Sequence, residues 1–297
     1  MNDFTRGTSV LVSGLSVEEQ LQAADLNWTV ELEPVSYSRG TTKEFYVAYR
    51  SDTGAVLDIY KHRHPWQNDE VLEAFNAFAE NANIELQRVG SLKEGKRIYA
   101  IAKLPVDLCP KGELEDRTEV YLMLEDSHEN GKGMTAALWE NRLVCTNGMR
   151  TKVNLTSRVI PHTSAFNREK VANVVTAAID TINERQQVID TLAETAITKA
   201  EAMMNLVKAF GNPNEAIDDQ PQMVRTCLRL FDGEAKGSEY LSAYNTAYGL
   251  LQSVTEYFNH HCGYSRGLEH EFQSILDGSR AKAMKAFQSQ MVSVYCR

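Results

Sequence analysis

The spacing of the apolar residues changes near residue 160, and this change limits the folds open to the chain. Before it, segments such as 28–35 and 118–126 show period-two runs rich in β-branched and aromatic residues, which are typical of strands. After it, apolar residues recur with helical spacing over 171–210. We therefore predict an α+β protein: a strand-rich domain with an antiparallel sheet over 1–160, and a mainly helical domain with one long helix over 161–297.

Turn and capping signals divide the N-terminal part into elements. Ser16 and Glu19 have the spacing of a capping box and predict a short helix over 15–25. Ser51 to Gly54 is a turn signal and predicts a hairpin between 44–50 and 55–61. The spacing over 68–83 predicts a second helix with Asn68 as its N-cap. Further strands are predicted over 84–92, 97–105, 118–126 and 134–145.

The helical spacing over 171–210 runs until Gly211-Asn212-Pro213 ends it, which predicts a helix of about forty residues. A helix of this length is either a core helix of a bundle or the seam of a homo-oligomer, and both interpretations stay open. Three more helices are predicted over 222–230, 239–260 and 268–292, with a turn signal at Asp277-Gly278-Ser279.

The chain is acidic overall but contains one basic segment. Its 31 Lys and Arg against 40 Asp and Glu give a formal charge of -9, which argues against a generally cationic nucleic-acid-binding or membrane-surface protein. Residues 142–170 nevertheless hold six cations against the single acid Glu169. We interpret this basic segment either as a phosphate-binding strip or as a solvated connector. Its cations are Arg142, Arg150, Lys152, Arg158, Arg168 and Lys170.

No catalytic, metal or cofactor site is predicted. His128, Cys145 and His162 are residue types that bind metals, but their spacing matches no metal signature. The chain also lacks the GxGxxG, GxxxxGK[ST], GxSxG and HExxH patterns that indicate dinucleotide enzymes, nucleotide hydrolases, serine hydrolases and zinc proteases.

Cysteine usage and the chain start indicate a cellular compartment. The five cysteines are odd in number and form no CxxC pair, which suits a reducing cytoplasm better than a disulfide framework. Neither a secretory leader pattern nor a stretch of about 18 apolar residues occurs in the sequence. We therefore expect a soluble cytoplasmic protein with no membrane partner.

Five stretches together carry a resemblance that covers nearly the whole chain. They are LSVEEQLQAADLNWTVELEPV, TGAVLDIYKHRHPWQNDEVLEAF, VGSLKEGKRIYAIAKLP, YLMLEDSHENGKGMTAALWENRLVCTNGM and GSEYLSAYNTAYGLLQSVTEYFNHH. In this order they resemble the phage/plasmid-like proteins of unknown function found on bacteriophages and other mobile elements. The resemblance implies a role in mobile-element DNA metabolism within a bacterial host cell. The turn after His128 departs from the family pattern, so no ligand role is carried over to it.

Three hypotheses for function follow. The first is a non-enzymatic protein that binds or anneals single-stranded DNA in replication or recombination, with the basic segment along the backbone and self-association aligning many copies. Stacking platforms would come from Tyr46, Tyr49, Trp66, Tyr99 or Trp139. The second is a phage protein whose acidic surface engages a host or phage protein. The third is a metal-dependent nuclease that uses Glu125, Asp126, Glu129 and His128.

Overall fold

Two antiparallel sheets build the N-terminal half of the computed structural model, which describes residues 5, 7–61, 65–81, 83–129, 132–144, 149–153, 160–161, 181–263 and 267–296. The strands are β1 Ser9–Leu11, β2 Val30–Tyr37, β3 Gly40–Arg50, β4 Val56–Tyr60, β5 Leu86–Leu92, β6 Arg97–Leu108, β7 Thr118–Ser127, β8 Gly133–Arg142, β9 Met149–Val153 and β10 Ile160–Pro161. The helices follow almost entirely in the second half. The predicted α+β class is thus confirmed, as are the four predicted strands now numbered β5 to β8.

The larger sheet has the strand order β1-β5-β6-β7-β8-β10, and β9 also pairs with β8. Its centre is covered on both faces, because every residue of β7 except Glu119 is buried although successive side chains point to opposite sides. Helical residue Phe272 supplies part of this cover, with its ring centroid 5.5 Å from that of Tyr99 and 5.8 Å from that of Trp139. The sheet is therefore an interior layer and not an open platform.

The smaller sheet consists of β2, β3 and β4, with β3 in the middle. The pairing of β3 with β4 confirms the predicted hairpin. One face is buried, and Ala48 and Tyr60 lie on it at 0% and 1% exposure. On the other face Val56 and Ile59 remain 54% and 46% exposed. This alternation is typical of an antiparallel sheet with one solvated face.

Helices α1 Val17–Ala23 and α2 Asn68–Asn81 confirm the two predicted N-terminal helices. The predicted capping box is formed, since Ser16 Oγ accepts from the Glu19 amide at 3.3 Å and Glu19 Oε2 accepts from the Ser16 amide at 2.8 Å. The prediction for Asn68 was wrong. Its side-chain amide donates instead to the carbonyls of Leu26 and Trp28, at 2.9 and 3.0 Å, and so ties the start of α2 to the segment before β2.

The predicted forty-residue helix is interrupted. In its described part the chain forms α3 Ile182–Glu194 and α4 Lys199–Phe210, separated by 195–198. The break has a structural cause: the Ile197 amide donates to the Asn245 carbonyl, and the Ala247 amide donates to the Thr195 carbonyl, each at 2.9 Å. These bonds replace helical ones, and α4 then begins with its own capping box at Thr198. Residues 171–180 lie outside the described residues.

The remaining helices are α5 Gln222–Arg229, α6 Ala247–Glu256, α7 Leu268–Leu276 and α8 Ser279–Tyr295, with a 3₁₀ turn at Ile217–Asp219 and π-helical turns at Leu230–Glu234 and Tyr257–His261. Helix α6 begins eight residues later than the predicted 239–260, since Thr246 caps it through the Gly249 amide. Helices α7 and α8 meet at the predicted turn and together form the long helical segment of this half. None of the described helices has the length and apolar character needed to cross a membrane.

Buried arginine–carboxylate pairs brace the large sheet and connect it to the helices. Arg142 at the end of β8 is 2% exposed, and its Nη2 lies 2.7 Å from Asp116 Oδ2. The hydroxyl of Ser242 donates to the same Asp116 oxygen at 2.8 Å. Arg185 of α3 likewise donates to Glu140 of β8 at 2.9 Å. The Arg185–Glu140 pair thus joins a helix directly to the sheet, whereas the helical half reaches the Arg142–Asp116 pair through Ser242.

We predict that Asp116→Ala lowers the free energy of unfolding by about 3–5 kcal/mol, because it leaves Arg142 charged, buried and without its carboxylate. Urea unfolding followed by circular dichroism measures the loss. Asp107→Ala is the matched control, since it breaks an ion pair with Arg117, whose side chain is 53% exposed. The control should lose no more than about 1 kcal/mol. Equal losses in the two variants would contradict a structural role for the buried pair.

Candidate nucleic-acid interface

Arg142, the first cation of the basic segment, is committed to the interior. Both its Nε and its Nη2 contact Asp116, whose residue exposure is 0%. Its guanidinium carbon also lies 5.3 Å from the centre of the Tyr248 ring, a distance typical of a cation–π contact. This arginine therefore anchors the end of β8 and is not available to a phosphate group.

Arg150 and Lys152 lie on β9, which pairs with β8 alone among the described strands. The backbone register places Arg150 opposite Asn141 and Lys152 opposite Trp139. The short strand β10 pairs with the other end of β8, at Met134 and Gly133. The chain that carries Arg158 is thus tied to β8 before and after that residue, although Arg158 itself lies outside the described residues.

Arg168 and Lys170 also lie outside the described residues, as do Cys145 and His162. Without Arg142, the basic segment holds five cations and Glu169, so its formal charge is 5 − 1 = +4. We call Arg150, Lys152, Arg158, Arg168 and Lys170 the basic strip. The structure places its first two members on one strand at a sheet edge.

Many cations elsewhere in the described part are matched by acids. Six ion pairs connect surface or half-buried side chains: Lys93–Glu129, Lys132–Glu129, Lys103–Glu119, Lys111–Glu194, Arg117–Asp107 and Lys199–Asp232. Such pairs cancel local charge and reduce the positive potential that a polyanion would meet. The basic strip differs from its surroundings because it has one acid for five cations.

The acids proposed for a nuclease are engaged in structural contacts. Glu125 is paired with Arg97, whose guanidinium also lies 2.9 Å from Asp277. Asp126 is fully buried at 0% exposure. Burial by itself would raise the pKa of Glu129, but hydrogen bonds and charges from Lys132 and Lys93 outweigh it and lower that pKa to about 2. Two of the three carboxylates are thus neutralised by protein cations, a poor arrangement for holding a divalent metal.

His128 is a buried structural histidine at the end of β7. Its exposure is 0%, its Nε2 lies 3.2 Å from Asn68 Oδ1, and its carbonyl accepts a hydrogen bond from the Tyr60 hydroxyl. Its ring centroid lies 5.9 Å from that of Trp28. Within the described ranges, no group of three or more His, Cys, Asp or Glu side chains is arranged to hold a metal ion.

Three of the five aromatic residues suggested for base stacking are buried. Trp66, Tyr99 and Trp139 are 2%, 0% and 0% exposed, so none can take a base on its face. Tyr46 and Tyr49 are half-buried on the small sheet. Tyr49 donates to Glu33 at 3.1 Å, which sets a carboxylate beside its ring. Base stacking on these five aromatic residues is therefore unfavourable.

The sequence did not identify Asp116, the buried carboxylate that pairs with Arg142 and so makes this arginine unavailable to a phosphate group. It lies in the loop before β7, 26 positions from its partner, among other acidic residues that stay near the surface. Local spacing contains no signal for such a contact. Predicting this contact requires knowing that the helical half of the protein covers the end of β8.

We predict that Glu129→Gln loses about 1 kcal/mol of stability at neutral pH, after allowance for partial exposure. The folded-state pKa is depressed to about 2, so the stabilisation is present above the unfolded-state value of about 4.3 and disappears as pH falls toward 2. Denaturant unfolding of both proteins at pH 7, 4 and 2.5 measures the difference. The control Glu194→Gln breaks an exposed pair and should change little at any pH. A difference independent of pH would rule out this linkage.

Comparison with known proteins identifies the family of the chain. No curated protein and no solved structure matches the chain. Residues 56–290 match a family described as Domain of unknown function (DUF932), a range that starts at β4, includes the large sheet from β5 onward and ends within α8. Since the match spans well over half of the chain, this protein belongs to the DUF932 family.

Proposed function

We propose that this chain is a non-enzymatic single-stranded DNA-binding protein that acts in replication or recombination of phage or plasmid DNA, in the cytoplasm of a bacterial host. The observation that carries the proposal is the position of Arg150 and Lys152 at alternate positions of an edge strand. A strand rises by about 3.3 Å per residue, so the Cα atoms of these two residues, two positions apart, are separated by about 7 Å. Among the described strands β9 pairs with β8 alone, and we propose that a polyanion lies along its other edge.

Electrostatics make the basic strip the preferred place for DNA on an acidic protein. Five cations against one acid give this segment a charge of +4, while the whole chain carries -9. Binding to single strands is driven by release of counterions, and the logarithm of the affinity falls by roughly 0.7 per phosphate contact per tenfold rise in salt. Five contacts correspond to a slope of roughly −3.5. The net negative charge favours modest affinity.

Self-association belongs to the same proposal. Several copies side by side would join their strips into a longer track for one strand, which supports annealing without catalysis. Helices α3 and α4 have 13 and 12 residues in place of the expected long seam, so the proposed oligomer does not depend on a single extended coiled coil.

A second candidate function is binding to a host or phage protein, and the small sheet favours it. Its outer face exposes Phe45, Val56 and Ile59 at 42%, 54% and 46%, and Glu31 and Glu33 stand exposed on the neighbouring strand. Apolar side chains bordered by carboxylates suit a partner that presents basic and apolar residues. The nuclease hypothesis ranks last, because Glu125 and Glu129 are both paired with protein cations.

The decisive experiment is fluorescence anisotropy of a labelled single-stranded oligonucleotide, titrated with the protein at several salt concentrations. We expect salt-dependent binding that is reduced at least tenfold by the triple variant Arg150→Glu, Lys152→Glu, Arg158→Glu. The matched control reverses three exposed lysines elsewhere, Lys208, Lys282 and Lys285, and so has the same net charge. It should weaken binding much less.

Three outcomes separate the hypotheses. Equal losses in the two triple variants would show that total charge alone matters and would overturn the basic strip as the site. Absence of binding at low salt would discard DNA binding and favour a protein partner. Cleavage of the oligonucleotide with added Mg²⁺, abolished by Asp126→Asn, would support the nuclease hypothesis instead.

A further inference from the structure

A surface cavity of about 440 Å³ lies between the 3₁₀ turn Ile217–Asp219 and helix α5, far in sequence from the basic strip. Its walls combine cations, a carboxylate, an amide and two apolar side chains. They include Arg225, Arg229, Asp218, Gln222, Ile217 and Leu228. The volume is within the range of about 300–1,000 Å³ that small-molecule sites occupy.

Two arginines on one face of α5 give the cavity its positive side. Arg225 and Arg229 are four residues apart, so their Cβ atoms lie about 5–6 Å from each other and both guanidinium groups can reach one ligand. Among the residues that the structure describes, Arg225 forms no ion pair. Arg229 has only an exposed contact with Glu234 at 3.5 Å, with both side chains about 60% exposed, and such pairs are weak and easily exchanged.

The start of α5 adds to this preference for an anion. Pro221 occupies the N-cap and makes no side-chain capping bond, so the first-turn amides have no side-chain acceptor from the cap. The helix macrodipole places partial positive charge at this first turn, at the opposite end of α5 from Arg229. Planar guanidinium groups bind phosphate oxygens in a bidentate way, and a phosphate monoester satisfies both arginines at once.

The opposite wall selects what the phosphate is attached to. The carboxylate of Asp218 would repel a bare anion but accepts hydrogen bonds from hydroxyl or amine groups. Ile217 on the 3₁₀ turn and Leu228 on α5 itself offer apolar contact to a flat ring. A ligand that suits this lining carries a phosphate, hydrogen-bond donors and an apolar ring, and a nucleoside monophosphate has all three.

The cavity wall is held in place by a buried glutamine. Gln220 is 3% exposed, and its side chain donates to the carbonyls of Asn212 and Glu215, at 2.6 and 3.0 Å, while accepting from the Asn212 amide at 3.0 Å. These three hydrogen bonds connect the Gln220 side chain to backbone groups of the same loop, and so hold the loop between α4 and α5 in one conformation. Ile217 and Asp218 are therefore positioned before any ligand arrives, which lowers the entropic cost of binding.

We propose that this cavity is a binding site for a nucleoside monophosphate, with Arg225 and Arg229 on the phosphate and Asp218 on the sugar or base. The site uses no residue of the basic strip, so nucleotide binding here is tested independently of single-stranded DNA binding. A mononucleotide bound here would make the protein responsive to the nucleotide pool or to the end of a processed strand.

Isothermal titration calorimetry of the full chain tests the proposal, with adenosine 5′-monophosphate, adenosine and inorganic phosphate as separate titrants. We expect the monophosphate to bind more tightly than either of the other two. Arg225→Gln should weaken its binding about tenfold or more, as loss of a charge-assisted hydrogen bond does. The control Lys285→Gln removes an exposed cation on α8 and should change the affinity less than about twofold.

Asp218→Asn separates the two halves of the site. It should weaken binding of the monophosphate while leaving inorganic phosphate unchanged or slightly stronger, because a repulsive carboxylate has been removed. Circular dichroism of each variant confirms folding, and both substituted residues are on the surface. Absence of monophosphate binding at millimolar concentration overturns the proposal. So does an Arg225→Gln variant that behaves like Lys285→Gln, or inorganic phosphate that binds as tightly as the nucleotide.

Discussion

Buried arginine–carboxylate pairs within the large sheet and against it determine the arrangement on which the rest of this structure depends. Arg142 with Asp116, Arg185 with Glu140, and Arg97 with Glu125 are all almost fully excluded from water. Removing charges from water costs several kcal/mol per ion, which only a partner in good geometry offsets. A helix packed in another register would leave a charge alone in the interior. The helices dock on this charged framework through Arg185 with Glu140, Ser242 with Asp116 and Asp277 with Arg97. Phe272 against Tyr99 and Trp139 adds apolar contact to the same docking.

The same pairs determine which charges remain for recognition. A chain of charge -9 that binds a polyanion needs cations that its own acids do not neutralise. Arg142 is lost to Asp116, and six further pairs cancel charge at or near the surface of the described part. The basic strip has one acid for five cations in its sequence, and on α5 Arg225 has no ion pair among the described residues while Arg229 has only an exposed contact with Glu234. The two proposed sites are thus separate exceptions on one acidic protein, and their ligands share phosphate chemistry.

Local patterns predicted elements well and predicted contacts between distant elements poorly. The capping box at Ser16, the turn at 51–54 and the runs of β5 to β8 are encoded within a few residues, and each is confirmed. The break at 195–198 was missed because helical spacing continues across it, while its cause is pairing with 245–247, fifty residues away. Thr198 and Glu201 did contain a capping-box signal for the second helix.

Arg142 shows why a candidate site is harder to predict than a fold. In a strand with one solvated face, alternation tells which side chains reach water. Strand β8 has no such face, since Trp139 and Glu140 are adjacent and both are buried. Sequence analysis therefore assigns an arginine at the end of β8 to the charged surface, although in the structure it lies in the interior and holds the end of the strand in place. Arg150 and Lys152 lie on β9, which pairs with β8 alone among the described strands, and this position at an edge is the basis on which we propose them as recognition residues.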